Sequence, residues 1–462
     1  MSSRQAIIFR SVVALMSALL LWASPAGASQ AHPARSGGRH QAGGSGYPAG
    51  GEGPRHVARS GEFARGAAAH PHAGKGRKPK PKPKPGLRGD AARALLSFAA
   101  MQQAFYIPGS WLYLGEPYSY LWPFSQALAA TVSVANIPGQ AAKQAATNSH
   151  ELRVRLVGLG KYWSTPTSES EPLPGEQPEV EEKGAGEPSE GPGVPPPTLS
   201  SYSGNVVPPA GASYYDDNEW VGIELMRIYE LHHEANLLER AEQIMAFVMA
   251  GWQTNPKLAC VGGVPFSDAP SNTDRNTVTD GPGAELALQL YRTTGDAAYL
   301  QFAEMAYEWV RRCLMLPNQL YADHIRQKGV IDLTLWSYNQ GSMIGAGVLL
   351  YQVTHNGAFL YQARQTAKAA LAYFTMERLL GENPFFVSVY LRNQMYLDSV
   401  THDPPGAHLA QAYIDYVWVN RRLSDGLFVW GSPPSPPSSQ LLVQAAAVQV
   451  YALLSARPAT FF

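Results

Sequence analysis

Two adjacent aspartates, Asp216 and Asp217, are the residues of this 462-residue chain whose types and spacing most directly suggest chemistry. They stand in "YYDDNEWVGIELMRIYELHH", residues 214–233, ahead of apolar residues with helical spacing. Two carboxyl groups this close resist simultaneous ionisation, so one of the two pKa values should rise. One group would then be a charged nucleophile, and its neighbour could hold and deliver a proton.

The same pair also has a purely structural interpretation. Asp216 is a suitable helix N-cap, and Glu219, three residues on, completes a capping-box pattern. With Asp216 at the cap, backbone N–H groups and the helix dipole would favour its charged form and leave Asp217 as the proton holder. The choice between a cap and a catalytic pair therefore depends on the rest of the chain.

Composition indicates one large folded domain with low-complexity additions. The chain is 45% hydrophobic and 16% charged, which is enough apolar material for a substantial core. Its formal net charge of +0 gives no reason to expect nucleic acid as a partner. We place the folded domain at residues 89–462.

Residues 1–28 have the pattern of a signal peptide. Arg4 and Arg10 precede the apolar run "SVVALMSALLLWA", and "AGA", ending at Ala28, supplies small residues for cleavage. The run is short for a membrane span, so no stable span is expected after cleavage. We therefore expect a secreted or cell-envelope-associated protein.

Two further segments cannot contribute a core. Residues 29–88 end in "GKGRKPKPKPKPG" and predict a disordered basic linker. Such a linker would be loosely attracted to an anionic cell envelope, and a plain solvated spacer is the alternative. Residues 165–203 are acidic and Pro-rich and predict a disordered insertion within the domain.

Neither the cysteines nor the acidic motifs predict a metal. Cys260 and Cys313 could pair in a secreted protein, and the sequence leaves the pairing open. The segment "DRNTVTDG", residues 274–281, lacks the alternation and terminal Glu of a calcium loop. We expect no metal and no cofactor.

A weak internal repeat predicts the architecture. Segments that begin at Tyr229, Tyr291 and Tyr351 each have Leu nine residues on and Ala twelve residues on, with spacings of 291−229 = 62 and 351−291 = 60. Each segment is typical of a helical hairpin. Twelve helical patterns occur, near residues 90–106, 119–135, 138–161, 216–232, 235–252, 278–294, 296–314, 338–354, 357–380, 383–399, 406–423 and 437–455. No run has a convincing strand period, so we predict an all-α chain of six hairpins closed into an (α/α)6 barrel.

The repeat also aligns three polar helix starts. Shifting Asp217 by 62 residues gives Thr279, beside Asp280, and shifting it by 122 gives Asn339, beside Gln340. In a closed ring such starts meet at one end, which favours a shared polar site over independent caps. Aromatic residues stand beside these starts and suit the C–H faces and hydroxyl edges of sugar rings, although barrel lining is the alternative role for each: Tyr215, Trp336 and Tyr338.

Together these motifs resemble glycoside hydrolase family 76, over roughly residues 89–458 without the acidic insertion. The matching segments are "YYDDNEW", "GPGAELALQLYRTTGDAAYL", "WSYNQGSMIGAGVLLYQVT" and "YVWVNRR". The resemblance implies an (α/α)6 barrel and a retaining endo-α-1,6-mannanase that acts on α-1,6-linked mannan or mannooligosaccharide. Asp216 would be the nucleophile, forming a covalent glycosyl-aspartate, and Asp217 the general acid/base. Repeat position and family pattern together suggest these substrate contacts: Tyr215, Asn276, Asp280, Trp336, Tyr338, Asn339 and Gln340.

The spacing of the pair agrees with that mechanism. Retaining glycosidases place two carboxyl groups about 5–5.5 Å apart, and neighbouring side chains in a helix diverge by about 100°. The alternatives are a transglycosylase of the same family and a non-catalytic glycan-binding or cell-wall protein on the same barrel. A sugar epimerase would rely on histidines, and His232, His233, His402 and His408 stand at positions typical of surface or structural residues.

Overall fold

The computed structural model describes residues 89–164, 199–206, 212–430 and 436–462. The predicted signal peptide, the basic linker and residues 165–198 of the predicted insertion lie outside these ranges. The described residues form thirteen α-helices: α1 (Asp90–Phe105), α2 (Leu121–Ala135), α3 (Ala142–Leu159), α4 (Tyr215–His232), α5 (Ala235–Ala250), α6 (Thr277–Thr294), α7 (Ala297–Cys313), α8 (Ser337–Thr354), α9 (Gly357–Tyr373), α10 (Met376–Gly381), α11 (Pro384–Thr401), α12 (Pro405–Asn420) and α13 (Pro437–Ser455).

Six of these helices form a closed inner ring. Helices α2, α4, α6, α8, α11 and α13 each pack against the next, and α13 packs back against α2. Helices α3, α5, α7, α9 and α12 each cover the inner helix that precedes them, and α1 covers α13. The predicted all-α (α/α)6 barrel is confirmed. Because an outer helix that runs back along the barrel lies between each inner helix and the next in the chain, the inner helices all begin at one end, here called the mouth.

Burial distinguishes the two layers. In the inner helix α4, every residue from Tyr215 to Ile228 is buried, whereas the outer helix α7 buries one apolar stripe that includes Phe302, Ala306 and Val310. A helix enclosed on all sides needs no amphipathic pattern, and a surface helix needs one apolar face. No described helix is both long and apolar enough to cross a membrane.

The turns between paired helices explain the repeat. His233, Gly295 and His355 end α4, α6 and α8 in the left-handed region, with φ of 54°, 73° and 56°. Their N–H groups donate to the carbonyl oxygens of the three repeated tyrosines at 2.7–2.8 Å. The aligned alanines of the following helices are fully buried, as close packing against the inner layer requires: Ala241, Ala303 and Ala363.

The predicted helix 357–380 is the one that the structure divides. Its first part, α9, ends at Tyr373, and α10 starts after Thr375, whose side chain accepts a hydrogen bond from the Arg378 N–H. The twelve predicted helices otherwise match the structure to within a few residues.

Short antiparallel strands, which are too brief to show a sequence period, connect the helices. They are β1 (Tyr106–Ile107) with β2 (Leu112–Tyr113), β3 (Trp163–Ser164) with β4 (Ser201–Tyr202), and the three-stranded set β5 (Arg275–Asn276), β6 (His324–Ile325) and β7 (Ile331–Asp332). Strand β4 lies within the predicted insertion 165–203, so the predicted end of that insertion at residue 203 is too late.

One disulfide joins a loop to the end of an outer helix. Cys260 and Cys313 are paired, with their Cα atoms 6.1 Å apart. The bond connects the segment after α5 to the last residue of α7. The sequence alone did not decide whether these two cysteines are paired.

Candidate active site

Helix α4 positions the aspartate pair at the mouth. The helix begins at Tyr215, and its N-cap is Tyr214, which makes no side-chain capping hydrogen bond. Asp216 is therefore the second residue of the helix, and the prediction that it is the N-cap is wrong. The Tyr215 N–H donates to the carbonyl of Phe266 at 3.1 Å, which fixes the helix start to a neighbouring loop. Asp216 and Asp217 thus occupy the first turn of the helix, after the N-cap position.

Both aspartates are enclosed rather than displayed at the surface. Each has a relative exposure of only 8%. Charged groups are seldom buried to this degree without a specific use. The positive end of the α4 dipole favours negative charge at these two positions, so the helix supports a carboxylate where solvent does not.

An aromatic cluster lies beside the pair. Tyr338 stacks on Phe386 with ring centres 4.0 Å apart and an angle of 8°, and Trp336 packs edge-on to the same ring at 5.4 Å. Trp220, one turn beyond Asp216 on α4, packs edge-on to Phe385 at 5.6 Å. The cluster brings the starts of α8 and α11 against α4.

Tyr338 is electrostatically coupled to the pair. Burial raises the pKa of its hydroxyl, and the negative charges of Asp323, Asp216 and Glu382 raise it further. The phenol therefore stays protonated and can act as a hydrogen-bond donor at the mouth. This coupling places Tyr338, as predicted from the repeat, near Asp216.

A polar chain adjoins Tyr338 on the same side of the mouth. Asn339 donates from Nδ2 to Oδ1 of Asp323 at 2.9 Å, and Oδ2 of Asp323 lies 3.0 Å from Nδ1 of His324. His324 in turn lies opposite Asn276 in the β5–β6 ladder. The structure therefore brings Asn276, Tyr338 and Asn339 together, and adds Asp323 and His324.

The pKa of the His324 imidazole is raised. Burial lowers the pKa of the imidazole, but the hydrogen bond and charge of Asp323, with the charges of Asp274 and Asp332, outweigh burial and leave the pKa raised above 6.5. Its Nε2 lies 3.6 Å from Oδ2 of Asp274. Sequence reasoning missed His324 and Asp323 because they stand in a loop, outside the helical repeat. The adjacent acid and imidazole of "ADHI" were the available signal.

The side chains of two residues that were predicted to contact substrate, Gln340 and Tyr215, bind other parts of the protein. Gln340 accepts at Oε1 from the Tyr321 N–H and donates from Nε2 to the carbonyls of Tyr321 and Trp336. The Tyr215 ring stacks on Phe247 at 4.4 Å, with the side chain 3% exposed. The structure therefore does not bring Gln340 or Tyr215 to the polar chain, and both side chains hold loops and helices together.

Asp280 is fully buried near the start of α6 and is held by a loop. Its Oδ2 accepts from the Val264 N–H at 3.1 Å, and burial holds its pKa well above 3.8 despite that bond and the charge of Arg275. Glu219, one turn after Asp216, is also fully buried. Burial, followed by the charges of Asp216, Asp280 and Glu285, holds its pKa well above 4.5. A protonated Glu219 avoids a third negative charge directly below the pair.

The fold and this site define a class: a closed (α/α)6 barrel with an enclosed carboxylate pair and an aromatic, hydrogen-bonding rim. The sequence profile of glycosyl hydrolase family 76 matches residues 200–401, which include the pair. This region of the chain is therefore similar to glycoside hydrolase family 76.

Curated relatives agree with this assignment over part of their length. The chain is 24% identical over 174 residues to mannan endo-1,6-alpha-mannosidase DCW1 of Saccharomyces cerevisiae, which covers 34% of this chain and 38% of that protein. It is 25% identical over 183 residues to a putative mannan endo-1,6-alpha-mannosidase of Schizosaccharomyces pombe, covering 36% and 40%. The match thus spans about two fifths of these relatives.

Solved structures share the fold over most of the chain. The family 76 mannosidase Bt3792 of Bacteroides thetaiotaomicron superposes with a TM-score of 0.66 at 17% identity, covering 79% of this chain and 98% of that one. An inactive variant of the α-1,6-mannanase GH76A of Salegentibacter sp. HEL1_6, in complex with α-1,6-mannotriose, gives 0.60 at 18% identity, covering 79% and 100%. At these identities the likeness establishes the barrel.

Proposed function

We propose that the chain is a retaining endo-α-1,6-mannanase in which Asp216 is the nucleophile and Asp217 the general acid/base. The observation that carries the proposal is the enclosure of two adjacent carboxyl groups, each 8% exposed, on the first turn of an inner helix beside Tyr338 and the Asn339–Asp323 pair. Relatives named as mannan endo-1,6-alpha-mannosidases support the substrate. The inactive Salegentibacter variant, in which two consecutive aspartates are replaced, supports the roles.

In the first chemical step, an oxygen of the Asp216 carboxylate forms a bond to the anomeric carbon of a mannosyl unit. The bond from that carbon to the O6 atom of the next unit breaks, and the Asp217 carboxylic acid gives its proton to this leaving oxygen. The result is a mannosyl-aspartate ester on Asp216 and a shortened glycan that leaves. Asp217 is then a carboxylate.

In the second step, Asp217 removes a proton from a water molecule, whose oxygen attacks the anomeric carbon. The ester bond to Asp216 breaks, which restores its carboxylate and leaves Asp217 protonated for the next cycle. Two inversions at one carbon give overall retention. An acceptor sugar hydroxyl in place of water would give the transglycosylation product.

The surrounding residues favour this division of roles. The α4 N-terminus stabilises negative charge on the nucleophile, and the raised pKa of buried Glu219 keeps that neighbour neutral. Donors and acceptors for sugar hydroxyls on one side of the mouth come from the residues of the polar chain and its neighbour: Tyr338, Asn339, Asp323, His324 and Asn276. Trp336 and Phe386 offer aromatic surface for the C–H face of a pyranose ring.

The proposal is tested by product analysis. Purified chain is incubated with linear α-1,6-mannooligosaccharides, and products are followed by mass spectrometry, with NMR of the first-formed anomer. We expect shorter products of retained configuration from wild type, and at most trace amounts of them from Asp217→Asn. The exposed Asp403 supplies the control variant Asp403→Asn, which should match wild type. Longer products would indicate transglycosylation. Intact glycan with measurable binding would reject the enzymatic proposal.

A further inference from the structure

A cavity of about 150 Å³ with a mixed apolar and polar lining lies on the flank of the barrel, between the outer helices α7 and α9. Its lining includes Arg311 of α7, Gln319 and Tyr321 of the following loop, and Tyr361, Gln362 and Gln365 of α9. We call this the flank cavity. Since its walls belong to the outer layer, it is separate from the aspartate pair on the inner helix α4, and the proposed mechanism does not use it.

The size of the flank cavity suits a small polar ring. At about 10–15 Å³ of such volume per water molecule, it has space for on the order of ten waters. A hexopyranose has twelve non-hydrogen atoms, so one sugar unit matches this space. The ring of Tyr361, which is 64% exposed, lies at the edge of the cavity. An exposed aromatic face beside a cavity with both apolar and polar lining suits a pyranose, which has both C–H faces and hydroxyl edges.

Two lining groups lack the partners that buried polar atoms normally have. Within the described part of the chain, neither Nε of Arg311 nor Oε1 of Gln362 has a hydrogen-bond partner, although both atoms are buried. One is a donor and the other an acceptor. Buried polar atoms are nearly always satisfied by protein, water or ligand. A sugar hydroxyl can accept from the first atom or donate to the second.

The charge balance of the lining favours a neutral ligand. The one cation in the lining, Arg311, already donates from Nη1 to both carboxylate oxygens of Glu308 at 3.2 Å. The other polar lining groups are amides and hydroxyls: Gln319, Tyr321, Gln362, Gln365 and Thr366. An anion would have to compete with Glu308 for the guanidinium, whereas a sugar hydroxyl would not.

From these observations we infer that the flank cavity is a second carbohydrate-binding site that takes one hexopyranosyl unit of a polysaccharide. That this unit is mannosyl rests on the proposed function. The loop that contains Tyr321 connects the two sites, because Tyr321 lines the cavity while Asp323, two residues on, accepts a hydrogen bond from Asn339 at the mouth. A polymer held on the flank would stay near the mouth between cleavage events, so the site would increase action on long chains and not on short ones.

The test separates polymer binding from cleavage. Retardation of the full chain is measured in native gels that contain soluble α-1,6-linked mannan, for wild type, Tyr361→Ala and Gln362→Leu. The matched control is Tyr416→Ala, since Tyr416 is 40% exposed on the outer helix α12 of another hairpin. Thermal unfolding confirms that each variant is folded, and initial rates are taken on the polymer and on a short mannotetraose.

We expect Tyr361→Ala to weaken mannan binding by about tenfold, the effect of losing one aromatic contact. Gln362→Leu should also weaken mannan binding, whereas Tyr416→Ala should bind mannan as wild type does. The initial rate on mannotetraose should be the same for all variants. Wild-type retardation by all folded flank variants would overturn the inference. So would retardation relieved by inorganic phosphate, which would make the cavity an anion site. If wild type is retarded but cleaves nothing, the proposed function fails while the binding result still decides the flank site.

Discussion

The side-chain amide of Gln340 holds both main-chain polar groups of Tyr321. Its Oε1 accepts from the Tyr321 N–H at 2.8 Å, and its Nε2 donates to the Tyr321 carbonyl at 2.9 Å. Asn218 makes the same pair of bonds to Tyr202, and Gln444 makes them to Phe428. Gln340 follows Asn218 by 340−218 = 122 residues, the same register that relates the repeated helices. At this position an inner helix holds a loop to the barrel.

Replacing this amide should be costly for stability. Gln340→Leu removes three hydrogen bonds and leaves the buried N–H and carbonyl of Tyr321 unsatisfied, which predicts a loss of about 3 kcal/mol in the free energy of unfolding. Denaturant titration would measure it. The exposed Gln327 provides a control, because Gln327→Leu should change stability by less than about 0.5 kcal/mol. A loss below about 1 kcal/mol for Gln340→Leu would show that solvent or a rearranged loop replaces the amide.

Asp280 occupies this loop-holding position in α6 but carries an acid in place of an amide. Its ordinary pKa is 3.8, and the folded pKa is well above that because of burial. The unfolded chain therefore releases a proton above pH 3.8 that the folded chain retains, and stability falls as pH rises towards the folded pKa. Asp280→Asn removes this dependence, and its amide can donate as Asn218 does.

We expect Asp280→Asn to gain stability relative to wild type with rising pH, by about 1.4 kcal/mol per pH unit within that window. Unfolding free energies at several pH values would measure the difference, with the exposed Asp403→Asn as a control that shows no comparable trend. Unchanged stability together with lost binding of mannooligosaccharides would instead support the predicted substrate contact of Asp280.

Helical periodicity predicted the barrel well because both layers of the barrel are built from helices whose residues show that periodicity. The Tyr229 repeat and its aligned alanines correspond to real hairpins. The site was predicted less completely, because the repeat aligns helix starts and contains no information about loops. Gln340 was placed at the correct level of the barrel, yet its partner is a loop. Asp323 and His324 reach Asn339 only through the pairing of β6 with β5, which two-residue strands do not reveal in sequence.

The disulfide should contribute to stability mainly by restricting the unfolded chain. Cys260 and Cys313 are separated by 53 residues, and closing a loop of that length is worth about 4 kcal/mol in the chain-entropy model. The double variant Cys260→Ser/Cys313→Ser should therefore unfold at a lower denaturant concentration than oxidised wild type. Reductant should lower the unfolding midpoint of wild type towards that of the variant and leave the midpoint of the variant unchanged. Equal stability of all four samples would show that the bond does not form in solution.

Stability and activity measurements distinguish a structural role of Asp216 and Asp217 at the start of α4 from a catalytic one. Because Tyr214 is the N-cap and makes no side-chain capping bond, neither aspartate is needed to start α4. Asp216→Asn and Asp217→Asn should each change the free energy of unfolding by less than about 1 kcal/mol. Each should lower cleavage of α-1,6-mannooligosaccharides by a factor on the order of 100 or more, since each removes one chemical role.

Both quantities are measured on the same preparations, by denaturant titration and by initial rates. The two variants should also differ from each other in pH dependence. Asp217→Asn lacks the proton donor, so the alkaline limb of its residual activity should shift, whereas Asp216→Asn lacks the nucleophile and should be inactive at every pH. Variants that lose more than about 1 kcal/mol yet still cleave would show that the pair serves the helix and that the chemistry lies elsewhere at the mouth.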